Sequence, residues 1–317
     1  MNKVAIVTGA SRGLGRGIAL TLAKEEGYVV YATARNKVQL ERLSSEASSN
    51  EKGGIIHPCS LDQNDDKAVE DFVSRVAKEQ KNIKLLVNSS YGGLIAIYPH
   101  FGKPFWERPL SVYDEALNIG VRSSYVMSKF VVPIMIKQES GLIIQTSSTG
   151  SFHYAFDVAY GVAHAAMDRL TTDMALELRN FNIQSITLHP VGGCQTEVVS
   201  FPGGESVIYV GRSVAALAEK ASQKELDKMN GKIVITAELS EKYGFSHDND
   251  PQDEIKNLKI NEAKLQRKMM SKTQFQNENN RTLDEYDTDH HLPFKLSELN
   301  SEPIGEMFSG AKKFSKE

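Results

Sequence analysis

The chain has 317 residues, of which 40% are hydrophobic and 24% are charged. This composition excludes collagen-like, fully disordered and disulfide-stapled proteins, and it supplies enough apolar material for a large core. With 37 basic and 40 acidic residues the net charge is −3, so there is no electrostatic case for a nucleic-acid partner. The two cysteines, Cys59 and Cys194, lack CxxC partners. We therefore expect no metal site and a reducing compartment.

The apolar runs of the sequence are short. The N-terminus, MNKVAIVTGA, has a brief apolar run that ends in Thr8-Gly9, which is too short for a secretory signal. The stretch 131–136 is interrupted by Pro133 and is too short to span a bilayer. These features predict a cytoplasmic protein without a transmembrane segment, and they leave peripheral membrane association open.

Short β-branched segments alternate with longer segments of helical periodicity in the first three quarters of the chain. The predicted strands are residues 3–8, 29–34, 55–59, 85–88, 142–146, 184–189 and 232–236. The predicted helices include residues 15–26, 66–81, 112–138 and 159–180. Strands that are apolar throughout are typical of a parallel sheet buried on both faces. The alternation predicts an α/β fold, a Rossmann-type doubly wound sheet of about seven strands with helices on both faces.

The composition changes after Phe245. Residues 246–317 carry the whole net negative charge and are rich in Asn, Gln and Ser. We therefore predict one domain over residues 1–245 and a charged extension over 246–317, loosely docked and partly helical or disordered. The stretch 277–289 has too little apolar content to fold alone. One set of apolar residues in the extension has helical spacing and predicts an amphipathic helix: Ile255, Leu258, Leu265 and Met269.

A glycine-rich loop, TGASRGLG over residues 8–15, joins the first predicted strand to a helix. Gly9 can turn sharply, Gly13 lets the backbone approach a pyrophosphate, and Gly15 lets the helix pack against the strand. The free N–H groups and positive dipole end of the helix attract phosphates. The loop predicts a dinucleotide site to which these residues contribute: Thr8, Gly9, Ser11, Arg12, Gly13, Leu14 and Gly15.

The spacing TGxxxGxG resembles the glycine motif of the short-chain dehydrogenase/reductase family. The later motifs of that family also have counterparts here: NSSYG at 88–92, Asn118, the serine pair 147–148 and Tyr160. The resemblance covers residues 3–244. It implies a Rossmann fold and an oxidoreductase that transfers a hydride between a nicotinamide cofactor and a carbonyl or alcohol substrate. It also implies that the chain can form a homo-oligomer.

The end of the second predicted strand bears on the choice of cofactor. It reads TARN and lacks the carboxylate that an NAD-selective site uses to bind the ribose 2′-hydroxyl. Arg35 can instead pair with a 2′-phosphate, together with Arg12, which favours NADP(H) over NAD(H). The alternative is that both arginines are solvated surface residues. The resemblance further implies cofactor contacts at Asp62, beside the adenine, at Asn88, and at Thr196, beside the carboxamide.

The resemblance also implies a catalytic set. It makes Tyr160 the proton donor and Ser148 the group that holds the carbonyl oxygen, with Ser147 as the adjacent alternative. Asn118 is implied as the anchor of a water in a proton relay. In the family, a lysine four residues after the tyrosine lowers the tyrosine pKa from about 10 and binds the nicotinamide ribose. In this sequence His164 stands at that position and completes a modified relay and cofactor contact.

The histidine at position 164 is the main departure from the family pattern. A full charge at about 5 Å is worth roughly 3 kcal/mol at an effective dielectric constant of about 20. Its loss can therefore raise the pKa of Tyr160 by roughly two units. A neutral histidine can still hydrogen-bond a ribose hydroxyl or pass a proton. Three interpretations stay open: a working variant, a slow enzyme, or an NADP(H)-binding regulatory or interaction protein without turnover.

A second departure follows the sixth predicted strand. Only residues 198–204 separate Glu197 from the next helix, so the substrate lid is short and we expect an open site. The branch of the family that the sequence resembles implies a hydrophobic ketone as substrate, steroid-like or xenobiotic-like. The predicted function is reduction of such a ketone with NADP(H), or the reverse oxidation.

Overall fold

The elements of the fold are defined in a computed structural model that describes residues 3–49, 51–247 and 254–275. The strands are β1 (Val4–Thr8), β2 (Val29–Ala34), β3 (Ile55–Ser60), β4 (Leu85–Asn88), β5 (Gly141–Thr146), β6 (Ile183–His189), β7 (Cys194–Gln195), β8 (Glu205–Ser206) and β9 (Ile233–Ile235). The helices are α1 (Gly13–Lys24), α2 (Lys37–Ala47), α3 (Asp66–Gln80), α4 (Gly93–Ile97), α5 (Leu110–Glu115), α6 (Ser123–Lys137), α7 (Val158–Leu178), α8 (Val207–Glu219), α9 (Gln223–Met229), α10 (Thr236–Tyr243) and α11 (Glu254–Phe275).

Seven strands form one parallel sheet in the order β3-β2-β1-β4-β5-β6-β9. The strand order reverses at β1, which pairs with β2 on one side and β4 on the other. A crevice for a ligand is expected at such a reversal, outside the carboxyl ends of the strands. The doubly wound fold predicted from the sequence is confirmed. The seven predicted strands differ from those of the structure by no more than one residue at either end.

Helices cover both faces of the sheet and bury its apolar side chains in two clusters. The cluster on one face joins the sheet to α1, α2 and α8 through Ile18, Leu22, Leu40 and Val214. The cluster on the other face joins it to α3 and α6 through Val73, Met127 and Val131. Because helices cover both faces, the central strands β1, β4 and β6 are buried at every position, and their apolar residues face both ways.

The predicted helix 112–138 is interrupted in the structure. A π-helical segment, Ala116–Arg122, joins α5 to α6. Gly120 in this segment lies against Tyr91 and Met167, and a Cβ there would fall 2.5 Å from the Met167 side chain. The close approach of these neighbours therefore requires a glycine.

The stretch Leu110–Lys137 bears on the prediction that no segment spans a membrane. Within the described part of the chain, it is the one helical stretch that is long and apolar enough to do so. Its α6 portion packs on the sheet through buried residues such as Met127 and Val131, as the core helix of a globular domain does.

The helix predicted in the extension corresponds to α11, which contacts the domain. Arg267 donates two hydrogen bonds to Glu238 of α10, at 2.8 and 2.6 Å. Ala263 is buried in a small apolar cluster with Val191 and Ile235. The expectation of a loosely docked extension is therefore wrong for this helix. The segment 277–289 lies outside the described residues, and the domain boundary at position 245 stays a prediction.

Candidate active site

A cavity of about 1140 Å³ lies over the carboxyl ends of the central strands, at the reversal of strand order. Arg12, Arg35 and Asp62 line one end of this cavity, and Ser148 and Tyr160 line the other. Its position is the one expected for a dinucleotide in a doubly wound sheet, and its length brings both sets of predicted residues into one space.

The glycine loop is held tightly against the end of β4. Gly9 has a φ of +64°, and a Cβ there would fall 2.6 Å from the backbone oxygen of Ser89. A Cβ on Gly15 would fall 2.5 Å from the backbone oxygen of Gly9. Only glycine fits at these two positions, which brings the loop and the start of α1 to the floor of the cavity.

Part of the predicted loop set faces the cavity and part supports it. Gly9, Arg12, Gly13 and Leu14 line the cavity, whereas Thr8, Ser11 and Gly15 do not. The Thr8 hydroxyl accepts hydrogen bonds from the backbone N–H groups of Ser89, at 3.0 Å, and Ser90, at 3.2 Å. Thr8 therefore joins the end of β1 to the end of β4. The predicted cofactor contact of Thr8 stays a prediction.

The first amide of α1 already has an anionic partner. The Gly13 N–H donates to Glu197 Oε2 at 2.7 Å, and Arg16 Nε lies 3.8 Å from the other carboxylate oxygen. A helix N-terminus favours negative charge, so this is where a phosphate is expected to bind. From the sequence, Glu197 was only the residue before the short lid, and no local pattern indicated this contact.

The end of β2 carries no carboxylate. Arg35 is exposed and Arg12 is half-buried, and both line the cavity. Asp62 also lines it, with a carboxylate that accepts the backbone N–H of Asn64 at 3.0 Å. Its neighbour Gln63, which the sequence analysis missed, is buried in the same wall. In the described residues, no three His, Cys, Asp or Glu side chains lie close enough together to hold a metal ion.

The first turn of α7 carries the candidate proton donor. Tyr160 is buried, and its hydroxyl is hydrogen-bonded to the side chain of Ser148. The Ser148 hydroxyl also accepts the backbone N–H of Gly150 at 3.1 Å. Ser147 instead turns toward the backbone oxygen of His164, at 3.4 Å. Of the two serines, the structure brings Ser148 to the phenol.

A buried ion pair holds the start of α7. Asp157 caps the helix by accepting the Tyr160 N–H at 2.6 Å. Arg108 reaches the same carboxylate at 2.9 Å, and both side chains are nearly fully buried. The residue before Asp157 is Phe156, whose ring lies 4.8 Å from that of Tyr160 and whose φ of +62° is rare for a bulky residue. This arrangement, which sequence reasoning missed, fixes the backbone at the base of Tyr160.

His164 lies directly beneath Tyr160. The two rings stack at 4.0 Å, and the Tyr91 ring meets the imidazole edge-on at 4.8 Å. His164 Nδ1 lies 2.8 Å from the backbone oxygen of Tyr160. Because a carbonyl only accepts, Nδ1 carries the proton and Nε2 remains an acceptor. Burial lowers the pKa of His164 to about 4, so the imidazole is neutral at pH 7.

The phenol therefore has no cation beneath it. Burial raises the pKa of Tyr160 above its ordinary value near 10, and the hydrogen bond from Ser148 opposes this only in part. The expectation that replacing lysine by histidine leaves the tyrosine a weaker acid agrees with this arrangement. The stacked rings and the capped first turn fix the position of the phenol. The neutral His164 supplies no positive charge that would favour ionisation of the phenol.

The low pKa of His164 predicts a pH-dependent stability. Between pH 6.5 and about pH 4 the unfolded chain binds a proton at this histidine that the folded chain does not, so the free energy of unfolding falls as the pH falls. This decrease in the free energy of unfolding is complete near pH 4 and amounts to about 3 kcal/mol. In His164→Phe, which keeps a stacked ring, this part of the pH dependence is expected to vanish. Denaturant unfolding of the parent and of His164→Phe at several pH values measures the difference between their free energies of unfolding. The contributions of all other titrating groups are the same in both proteins and cancel in this difference. Parallel pH profiles would contradict it.

Two further predicted site residues, Asn118 and Asn88, do not line the cavity. Asn118 is exposed on the π-helical segment, on the side opposite the buried Ala116 and Gly120. Asn88 is fully buried and donates from Nδ2 to Ser128 Oγ of α6 at 3.1 Å. The water relay through Asn118 and the cofactor contact of Asn88 stay predictions.

The lid is short, as predicted, but the cavity is roofed. The Thr196 hydroxyl lies in the cavity wall and is used within its own turn, where it donates to the backbone oxygen of Val199 at 2.8 Å. Val199 and Phe201 are buried, and the ring of Phe201 lies 6.1 Å from that of Phe156. The rest of the roof comes from α11, which the prediction of an open site left out: Lys259, Glu262, Leu265, Gln266 and Met269 line the cavity.

The fold and the cavity together define an oxidoreductase of the nicotinamide-dependent Rossmann type. The chain belongs to the short-chain dehydrogenase/reductase family, whose model, described as short chain dehydrogenase, matches residues 3–201. It is 36% identical to dehydrogenase/reductase SDR family member 1 of Mus musculus and 35% identical to that of Homo sapiens. Both alignments extend over 264 residues, 77% of this chain and 82% of the relative. The resemblance of the sequence to this family, and to one branch of it, is thereby confirmed.

Three further proteins are similar to the chain. The chain is 32% identical over 191 residues to 7alpha-hydroxysteroid dehydrogenase of Clostridium sardiniense, which covers 59% of this chain and 70% of that protein. The crystal structure of a metagenomic short-chain oxidoreductase in complex with NADP is similar with a TM-score of 0.61 and 25% identity. It covers 74% of this chain and 96% of the other. A 7α-hydroxysteroid dehydrogenase complexed with NADH has a similar fold, at a TM-score of 0.63 and 23% identity, with 74% of this chain and 92% of the other covered.

Proposed function

We propose that the protein reduces a hydrophobic ketone with NADPH, or oxidises the corresponding alcohol with NADP⁺. The observation that carries this proposal is the pair of hydroxyls, Tyr160 and Ser148, at one end of a cavity whose other end is the glycine loop. A carbonyl between the two hydroxyls receives a hydrogen bond from each, and the phenol is the nearer acid for the nascent alkoxide.

The residues around the cavity fit a nicotinamide dinucleotide. Gly9 and Gly13 line the cavity with positive φ, a backbone conformation that residues with a side chain rarely adopt and that lets the loop approach a pyrophosphate closely. Arg12 and Arg35 offer guanidinium groups to a 2′-phosphate, which favours NADP(H). The acceptor Nε2 of His164 can bind a ribose hydroxyl. When bound, the cofactor supplies or accepts the hydride.

The substrate end of the cavity is apolar, which supports a hydrophobic ketone. Its lining residues come from the segment before α7, from the short lid and from α11: Phe156, Val199, Phe201, Leu265 and Met269. Apolar rings and aliphatic chains bind here by burial of surface, and the two hydroxyls fix the orientation of the carbonyl. The similarity to a hydroxysteroid dehydrogenase supports a fused-ring ketone as the first candidate.

The test is a titration of the purified protein with NADPH and with NADH, followed by a panel of steroid and aromatic ketones. We expect NADPH to bind more tightly than NADH, and its absorbance to fall when a ketone of the panel is added. Tight NADPH binding without turnover of any ketone or alcohol between pH 6 and 11 would instead support a regulatory NADP(H)-binding protein. The neutral His164 beneath the phenol is the observation that favours this second candidate.

The choice between the two dinucleotides has its own test in Arg35. In Arg35→Ala the dissociation constant for NADPH is expected to rise about tenfold, because one charge-assisted hydrogen bond to the 2′-phosphate is lost. Binding of NADH, which lacks that phosphate, is expected to stay the same. Arg42→Ala, on the exposed face of α2, is the matched control. An equal effect of Arg35→Ala on NADPH and NADH would contradict a 2′-phosphate site.

A further inference from the structure

The helix of the extension carries a buried lysine into the wall of the cavity. Lys259 lies on α11 and is 2% exposed, whereas lysine is almost never fully buried unless it is paired. Its Nζ lies 2.9 Å from Glu262 Oε2 and donates to the backbone oxygen of Val191 at 3.4 Å. A second carboxyl, that of the fully buried Glu205, interacts electrostatically with the same ammonium. The ammonium is thus compensated by Glu262, whereas burial raises the pKa of Glu205 to about 8, so that this second carboxyl is mostly protonated at pH 7.

The segment that Lys259 contacts is the loop after β6. Residues 190–193 line the cavity, and two glycines there have positive φ, +65° at Gly192 and +85° at Gly193. A Cβ added to Gly192 would lie 2.9 Å from Lys259 Nζ and 2.7 Å from Glu262 Oε2. The charged pair therefore rests directly on this loop, which is also held through Glu205, whose backbone N–H donates to the oxygen of Gly193 at 3.0 Å.

The loop after β6 lies where the nicotinamide half of a dinucleotide is expected to bind. A dinucleotide lies across the point where the strand order reverses. The glycine loop and the two arginines follow β1 and β2, on the side of the adenosine half. The loop after β6 lies on the opposite side, with Ser148 and Tyr160, where the nicotinamide half must lie to reach a carbonyl held by these hydroxyls.

Other contacts hold α11 in register with the loop. Gln266 Nε2 lies 3.4 Å from Nδ1 of the fully buried His189, the last residue of β6. His189 Nε2 in turn lies 3.1 Å from Asp168 of α7. Together with the pair of Arg267 and Glu238, these bonds fix the position of Lys259 relative to the loop after β6.

We propose that Lys259 is a positioning residue for the cofactor: through the backbone oxygen of Val191 it holds the loop after β6 as the wall against which the nicotinamide half binds. The extension is then part of the dinucleotide site. This inference rests on the proposed function, since it requires that the cavity take a nicotinamide dinucleotide.

The test compares two ligands in Lys259→Met, which keeps the length of the side chain and removes its charge and donors. The ligands are NADPH and 2′-phospho-ADP-ribose, which lacks the nicotinamide. By calorimetry, the dissociation constant for NADPH is expected to rise about tenfold, the effect of one charged hydrogen bond, and that for the fragment to change less than twofold. Lys264→Met, at an exposed position of α11, is the control and should match the parent with both ligands.

The outcomes separate the two claims. If the parent binds neither ligand, the proposed function fails. If the parent binds both, and Lys259→Met weakens both equally or neither, the positioning role of Lys259 is overturned, because a general loss of stability does not distinguish the ligands. Hydrogen exchange gives a second measurement without any ligand. Amides of the loop 190–195 are expected to exchange at least about tenfold faster in Lys259→Met, or in the milder Lys259→Gln if the first variant does not fold. Unchanged exchange there would also overturn the proposal.

Discussion

Tyr160→Phe is expected to lower the rate of NADPH-dependent ketone reduction about 10³-fold, the usual contribution of a positioned general acid. The variant keeps the ring that stacks on His164 at 4.0 Å and loses only the hydroxyl that meets Ser148. The dissociation constant for NADPH should therefore stay within twofold of the parent value. Single-turnover kinetics with a steroid ketone, together with a binding titration, measure both quantities.

The matched control is Tyr154→Phe. Tyr154 lies in the same segment before α7, and its hydroxyl meets only the backbone oxygen of Phe156, at 3.5 Å. Its loss should leave the rate within a fewfold of the parent. A Tyr160→Phe variant as active as the parent would remove this phenol from the mechanism, and the proton would then have to come from another group.

The rate of alcohol oxidation is expected to rise at alkaline pH as Tyr160 ionises. In His164→Lys the pH of this rise is expected to be about two units lower than in the parent. An ammonium at about 5 Å stabilises the tyrosinate by roughly 3 kcal/mol, which corresponds to two units of its pKa. The parent lacks this charge because its buried imidazole, with a pKa of about 4, is neutral. At pH 7 the oxidation rate should rise about tenfold, less than the gain in tyrosinate because a less basic phenolate is a weaker base. A pH–rate profile of each protein measures the shift.

The control for charge is His164→Gln, which keeps a polar side chain without an ammonium. It should leave the inflection of the profile where the parent has it. If the lysine variant has the parent's inflection and a lower rate, charge is not what the site lacks, and the histidine is a working member of the relay. If the parent shows no turnover and the lysine variant does, the natural chain is a cofactor-binding protein that lost its chemistry at this position.

The sheet was predictable because its strands carry their own signal. Segments 4–8 and 183–189 are buried at every position, as strands covered on both faces are, and the first of them is an apolar run up to its last residue, Thr8. The glycine loop was equally predictable, since Gly9 and Gly15 are dictated by close backbone contacts. The direction in which a side chain points was harder to predict from the sequence. Asn118 has the sequence position of a site residue, but the π-helical segment turns it toward solvent.

The state of the active-site histidine also lay beyond the sequence. Its replacement of lysine was visible, but its neutrality comes from complete burial between the rings of Tyr91 and Tyr160, which is a property of the packed site. The extension is a similar case. Periodicity indicated the helix that became α11, whereas the surface on which it docks depends on single contacts such as Lys259 with Val191.

The contact of Glu197 with the Gly13 amide joins two parts of the cavity that are separate in the sequence. A diphosphate that takes this amide must displace the carboxylate, so loading of the cofactor is an exchange of one anion for another. Glu197 belongs to the same short stretch as Val199 and Phe201, which close over the substrate end. If the protein acts as proposed, displacement of the carboxylate releases one hydrogen bond of the stretch that forms this roof, and we expect the dinucleotide to bind before the ketone.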